Sequence, residues 1–225
     1  MSDNLRIRVW TSVSRGALFF GLYWLLPSLF VCLLAAIAGY IVFVEWPRLR
    51  GGYQLLRFAS LSDIYLLYPV LPLILLLVHV VRYCDAAPWY GLYPFIAAWL
   101  VDIAAYLVGS YVGRHHCCPQ LSPKKTWEGI FGGVASLMIL HMGVWLLGRF
   151  AYPCWFMALS ALVVAVTAIC GDLFISFFKR RQGIKDTGAL LPGHGGLLDR
   201  FDSVLAVSLL VGFFELFYVR ALSCT

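Results

Sequence analysis

From Ser176 to Asp202 the chain reads SFFKRRQGIKDTGALLPGHGGLLDRFD, a stretch whose charged residues and glycines are spaced for handling phosphates. Asp172 lies just upstream, inside a long apolar run. At 3.6 residues per turn, Asp172, Ser176 and Lys179 share one helix face, which presents a carboxylate, a hydroxyl and an ammonium toward a helix end. An ionised Asp within a membrane span costs about 2.5–3.5 kcal/mol on insertion scales, so its presence points to function. Lys185 and Asp186 follow, then Pro192-Gly193-His194-Gly195-Gly196. The glycines allow tight turns and close backbone approach, and N–H groups in such turns form anion-binding nests. Asp199 and Asp202 stand one turn apart on one face at the start of the next helix, where acidic residues are favoured. Converged with Asp172, they make the oxygen-rich site that Mg²⁺ takes. His194, between two glycine-containing pairs, is expected to face phosphate or the metal's shell.

Carboxylates with Lys, Arg and a glycine-rich loop suit phosphoryl or nucleotidyl transfer, which needs positioning, metal ions on phosphate oxygens and cations against developing charge. No G-x-x-x-x-G-K-[ST] stretch is present in the sequence, which excludes a P-loop enzyme. Plainer readings stand beside these. Asp172 would serve equally as the buried partner of a lysine, and Lys124, Lys125, Lys179, Arg180 and Arg181 as anchors of helix ends. Glu128 would also suit the cap of the helix that follows it.

The segment resembles the signature of the phosphatidate cytidylyltransferase (CDP-diacylglycerol synthase) family at Ser176, Lys179-Arg180, Lys185-Asp186, His194-Gly195-Gly196 and Asp199-Arg200-x-Asp202. A second block is similar to the same family: Asp102-x-x-Ala105-Tyr106-x-x-Gly109, then Ser122-Pro123-Lys124-Lys125-Thr126-Trp127-Glu128-Gly129. The resemblance covers about Trp99 to Ser203; the first ninety residues share only apolar, helical character. It implies that the phosphate of phosphatidic acid attacks the α-phosphorus of CTP, giving CDP-diacylglycerol and pyrophosphate. It also implies a Mg²⁺ requirement, with a second cation left open, and a homodimer whose polar cavity opens to cytoplasm and lipid. By the family's pattern Asp172 and Asp199 hold the metal, with Asp202 beside them. Lys179, Arg180 and Lys185 contact phosphates, Arg200 belongs to the binding set, and Ser122, Lys124, Lys125 and Glu128 close the site. Family members commonly have a longer N-terminal half, the part expected to carry the lipid-entry surface and dimer contacts.

The elements that must position these residues are membrane helices. The chain has 225 residues, 62% hydrophobic and 12% charged, with mean hydropathy +0.85; soluble domains carry about 25% charged residues. About seven spans of an all-α bundle are expected: Val9 to Leu26, Leu29 to Glu45, Asp63 to Val81, Trp89 to Val112, Gly129 to Leu147, Trp155 to Phe178, and Phe201 to Val219. With the N-terminus cytoplasmic, 14 of the 17 Lys and Arg residues fall inside and three, Arg82, Arg149 and Arg220, outside. Reading Val9 to Glu45 as one span gives 11 and 6 instead, so the seven-span reading is preferred. The length suits a single membrane domain, 1–225, with N-terminal spans in 1–90 and a catalytic part in 91–225. Its loops, 113–128 and 179–200, both lie on the cytoplasmic side. The expected setting is a cell inner membrane crossed several times, with the active site facing the cytoplasm.

The net charge of +6 sits at the ends of apolar runs, which fits orientation and anionic ligands, not nucleic acid. Arg6 and Arg8 before an apolar stretch, with Ala36-Ile37-Ala38 beyond, imitate a secretory signal, but removing the first span would undo the charge asymmetry. Seven cysteines show no framework spacing. His115-His116-Cys117-Cys118 invites a zinc reading, against which adjacent residues point apart and no second pair sits at ligand spacing. His79 and His141 are expected to pack inside the bundle, and Gly132-Gly133 to permit close helix approach. Two other lipid-directed chemistries remain, a transferase for a different lipid phosphate and a polyprenol-type kinase. A transporter would also place Asp102 and Asp172 in the membrane, but it predicts broken half-helices and internal symmetry, and neither is visible.

Overall fold

The structure is a computed structural model that describes residues 16–49, 68–149, 152–188, 190 and 195–223, with side chains described as far as residue 216. Helices α1 (Gly16–Leu25) and α2 (Pro27–Tyr40) meet at Leu26, where Pro27 starts the second helix at the position that needs no N–H. α2 runs through a π turn, Ile41–Glu45, into α3 (Trp46–Leu49). Then come α4 (Val70–Tyr83), α5 (Pro88–Gly91) and α6 (Tyr93–Val112). A hairpin of β1 (His116–Cys118) and β2 (Ser122–Thr126) leads to α7 (Trp127–Leu146), α8 (Cys154–Arg181) and α9 (Leu198–Ser223).

The protein is thus a helical membrane protein. Four helical stretches are long and apolar enough to cross a bilayer: Pro27–Leu49, Tyr93–Val112, Trp127–Leu146 and Cys154–Arg181. Gly16–Leu25 and Val70–Tyr83 are shorter apolar helices, and α9 has 26 residues. Each of the seven apolar runs carries a helix, although 9–15 and 63–67, expected in the first and third spans, lie outside the described residues.

The span expected from Trp89 to Val112 is interrupted at Leu92. The cause is Pro94, which has no N–H to give to the carbonyl of Tyr90 four residues back. His79 Nε2 takes that carbonyl instead, at 2.8 Å. Its other ring nitrogen, Nδ1, meets Glu215 Oε1 of α9 at 2.9 Å. His79 is therefore packed in the bundle, as expected, and Glu215 faces inward to it. His141 is buried too, between the Tyr93 hydroxyl at 2.9 Å and Ser160 at 3.1 Å.

α6 packs on α7 and α8 on α9. Small residues let the first pair come close: a Cβ on Gly132 would stand 2.5 Å from Val108, and one on Gly133 3.0 Å from the Val101 carbonyl. One turn earlier, a Cβ on Gly129 would stand 2.6 Å from the backbone oxygen of Ala105. That neighbour is backbone and cannot swing aside. Gly129→Ala is expected to destabilise the protein by about 1–3 kcal/mol, the range for overpacking, seen as a lowered thermal midpoint in detergent. The same contact lies at the hairpin's root, so this glycine fixes where β2 enters the bundle.

Two short strands in an otherwise helical chain were not expected. Ser122-Pro-Lys-Lys-Thr has little intrinsic strand preference, and pairing of His116 with Thr126 and Cys118 with Ser122 supplies the order. Thr126 then caps α7, its hydroxyl accepting the Gly129 N–H at 3.2 Å.

Candidate active site

α8 carries Asp172, Ser176 and Lys179 on one face, as their spacing requires, and the Ser176 hydroxyl donates to Asp172 Oδ1 at 3.3 Å. The helix ends on Lys179, Arg180 and Arg181, cations in the last turn that complement its dipole. It is closed by Gly183 at φ +67°. The Gly183 N–H goes to the Arg180 carbonyl at 3.0 Å and the Ile184 N–H to the Lys179 carbonyl at 3.0 Å, the paired bonds of a glycine-terminated helix. This sharp stop turns the chain back toward α9 within a few residues of Lys179.

Lys179 is buried, and its ammonium donates to Asp199 Oδ1 at 2.9 Å. The other oxygen, Oδ2, accepts the Thr187 N–H at 2.8 Å, the Gly196 N–H at 2.9 Å and lies 3.1 Å from the Thr187 hydroxyl. Asp199 therefore ties Thr187 and Gly196 to one carboxylate oxygen. Gly195 makes this possible: its φ is +80°, and a Cβ there would stand 2.9 Å from Asp199 Oδ2.

The second block reaches the same place from the hairpin. Successive strand residues face opposite ways, so Lys124 is exposed while Lys125 turns inward and meets Asp172 Oδ2 at 2.6 Å. Ser122 is half-buried at the strand's start. Arg180 holds the hairpin to α8, donating from Nε to the Leu121 carbonyl at 3.2 Å and from Nη1 to the Ile184 carbonyl at 3.3 Å. Thr126 is the N-cap of α7, and Glu128 stands in its first turn. It reaches back, its Oε2 accepting the N–H groups of Arg114 at 3.2 Å and His115 at 3.3 Å, while its Oε1 meets His115 Nδ1 at 2.6 Å. Glu128 thus ties the start of the hairpin to α7.

Two segments fifty residues apart in sequence are in this way one site. Asp202, buried, accepts the Ser203 N–H at 2.8 Å and interacts electrostatically with Asp172 and with Asp102 of α6. Lys185 and Arg200 are exposed near the same end. Pro192, Gly193 and His194 lie outside the described residues. Among the described residues no three acidic, His or Cys side chains form a ready-made metal cage. The donor chemistry nevertheless suits Mg²⁺. Asp102, Asp172, Asp199 and Asp202 are all hard oxygen donors facing two ammonium groups, Lys125 and Lys179. With every carboxylate ionised, two negative charges remain to be matched.

Three participants were not assigned roles from sequence. Asp102 belongs to the second block, and its position inside an apolar run was the available signal. Thr187 carried none, and Glu45 only its helical spacing from the apolar residues Ile41 and Ala38. Thr187 is an ordinary small polar residue beside Asp186, and Glu45 marks the end of an apolar run. Glu45 nevertheless accepts the N–H groups of Leu197 and Leu198, at 2.9 and 2.6 Å.

Residues 52–218 match the family model described as the cytidylyltransferase family. The chain is 42% identical over 118 residues to a protein of Staphylococcus haemolyticus named phosphatidate cytidylyltransferase. It is 40% identical over 118 residues to the one of Staphylococcus saprophyticus and 42% to that of Staphylococcus aureus strain COL. In each case the match covers 52% of this chain and 45% of the relative, so the chain spans about half the length of the curated relatives it matches. With the family's region running from the third apolar stretch through most of α9, the chain belongs to the cytidylyltransferase family.

Proposed function

We propose that the protein is a CTP:phosphatidate cytidylyltransferase, working as a homodimer in a cell inner membrane with its site on the cytoplasmic side. The observation that carries this is the Lys125–Asp172 ion pair at 2.6 Å, which brings the two motif-bearing segments to one place. The names of the staphylococcal relatives agree with it. A phosphate oxygen of phosphatidic acid forms a bond to the α-phosphorus of CTP. The bond from that phosphorus to the oxygen bridging to the β-phosphate breaks, and pyrophosphate leaves with the electron pair. The nucleophile is already anionic, so no general base is needed.

In this reading Asp172, Asp199 and Asp202, with Asp102 beside them, would hold Mg²⁺. When bound, Mg²⁺ supplies positive charge against the phosphate oxygens. The residues themselves do the positioning. Lys125 and Lys179 stand against Asp172 and Asp199 where a metal would compete for the same oxygens, and each is within a side chain's swing of becoming a phosphate contact. Arg180, Lys185, Arg200 and Lys124 add positive charge at the rim; His194, with Gly195 and Gly196, completes the phosphate loop. Ser122, Ser176 and Glu128 orient the hairpin and helix that close over the nucleotide.

The test is pyrophosphate release by the purified protein in detergent micelles with CTP, Mg²⁺ and phosphatidic acid, each omitted in turn. Release that needs all three, with a CDP-lipid product, is expected. Release of a nucleoside diphosphate instead would mean a lipid kinase. Pyrophosphate with a different lipid phosphate but none with phosphatidic acid would move the acceptor and leave the chemistry standing.

A further inference from the structure

Glu45 lies outside residues 52–218, the part matched to the family, yet it is fully buried against the segment that carries the chemistry. It sits in the inward stripe Phe30, Leu34, Ala38 and Ile41, whose other members are apolar. The π turn Ile41–Glu45 shifts the helix register there; such turns recur at functional sites. Its Oε1 accepts the Leu197 N–H at 2.9 Å, and its Oε2 accepts the Leu198 N–H at 2.6 Å. These are orphan donors at the start of α9, which a helix cannot satisfy from within. Oε2 also lies 3.2 Å from the Thr187 hydroxyl, the same hydroxyl that stands 3.1 Å from Asp199 Oδ2. A hydroxyl has one proton to give, so one donor is shared by two carboxylates.

The surrounding backbone is shaped to admit this carboxylate. A Cβ on Gly188 would stand 2.8 Å from Glu45 Oε1, and one on Gly196 2.7 Å. The three hydrogen-bond donors to Glu45 are Thr187, Leu197 and Leu198, the first a partner of Asp199 and the other two its near neighbours in sequence. A carboxylate that only capped α9 would need Leu197 and Leu198 alone; the Thr187 hydroxyl ties Glu45 as well to a group that bonds Asp199.

We propose that Glu45 is a positioning residue for Asp199: it clamps Thr187 and the first turn of α9 so that Asp199 is presented at a fixed place. The proposal rests on the reading of Asp199 as part of the reaction site. It gives the N-terminal half a role in the chemistry of the C-terminal half.

The test compares the wild type with Glu45→Gln and Thr187→Val, each as the full chain in detergent. Glu45→Gln keeps the shape but turns an amide donor toward N–H donors. Its kcat for pyrophosphate release is expected to fall about 10- to 100-fold, the scale of a small misplacement at a reacting centre. KM for CTP should change by less than about threefold, because a fixed presentation acts on the transition state. Thr187→Val removes only the shared hydroxyl and should lower kcat in the same direction. Trypsin cleavage after the exposed Lys185, which does not depend on activity, should quicken in Glu45→Gln as the clamp loosens. A folded Glu45→Gln protein with kcat within about twofold of the wild type overturns the proposal. If Glu45→Gln does not fold, Thr187→Val decides alone: lowered kcat supports the clamp and wild-type kcat overturns it. If the wild type itself releases no pyrophosphate, the reading of the reaction fails, and cleavage at Lys185 still judges the clamp: faster in Glu45→Gln supports it, and an unchanged rate overturns it.

Discussion

Asp172→Asn should reduce pyrophosphate release by a factor of about 10² to 10³, the loss seen when one preorganised electrostatic contact is removed from a reaction site. The substitution keeps the side chain's size and removes its charge. Lys125, whose ammonium lies 2.6 Å from Asp172 Oδ2, then loses its counter-charge, and the hairpin keeps its other tie to α8, from Arg180 to the Leu121 carbonyl. Asp172 is about a quarter exposed, at 24%, and Lys125 is similar at 22%. The pair is partly buried, so the thermal midpoint should fall, but by less than when the more deeply buried Lys179–Asp199 pair is broken. Raising the Mg²⁺ concentration should recover part of the activity if Asp172 serves a metal, and none if it serves only Lys125. Wild-type turnover in a folded Asp172→Asn protein would remove this residue from the site.

Lys179→Met is expected to behave differently, because its pair is buried. Lys179 and Asp199 side chains are 11% and 8% exposed. Removing one partner of a buried pair costs about 3–5 kcal/mol, mostly through the charge left behind. Asp199 keeps the N–H groups of Thr187 and Gly196, which places the expectation at the lower end. The double variant Lys179→Met/Asp199→Asn removes both charges and should regain much of the thermal midpoint. It should regain none of the activity. A midpoint unchanged in the single variant would show that Asp199 is held by its other donors alone.

The same two lysines mark how far the sequence could be read. Helical periodicity placed Asp172, Ser176 and Lys179 on one face, and they are there. Asp199 and Asp202 likewise open one helix. What periodicity cannot supply is which side chain meets which across elements: Lys125 rather than Lys179 pairs with Asp172, and Lys179 crosses to Asp199. The adjacent lysines 124 and 125 looked equivalent because nothing in Ser-Pro-Lys-Lys-Thr announces a strand, and it is the strand that sends one outward and one inward. Seven apolar runs were legible as helices because burial in lipid demands length and hydropathy. The break at Leu92 follows from Pro94, whose effect depends on whether another group takes the freed carbonyl. Glu45 was hidden more deeply. It was read as the polar end of a span; its i+4 spacing from Ile41 continues the inward stripe, but nothing in the sequence says which backbone groups it meets there.

The bond from His79 to the Tyr90 carbonyl bears on the order in which the chain assembles. When α4 docks against α5, His79 supplies the donor that Pro94 cannot, and an acceptor left open where water cannot reach it costs about 1–3 kcal/mol. The two groups are eleven residues apart, so they can meet as soon as both have left the translocation machinery. Glu215 joins His79 only when the last helix is in place. The early pairing and the late one share a single imidazole, which makes His79 a latch set by neighbouring helices and locked by the final one.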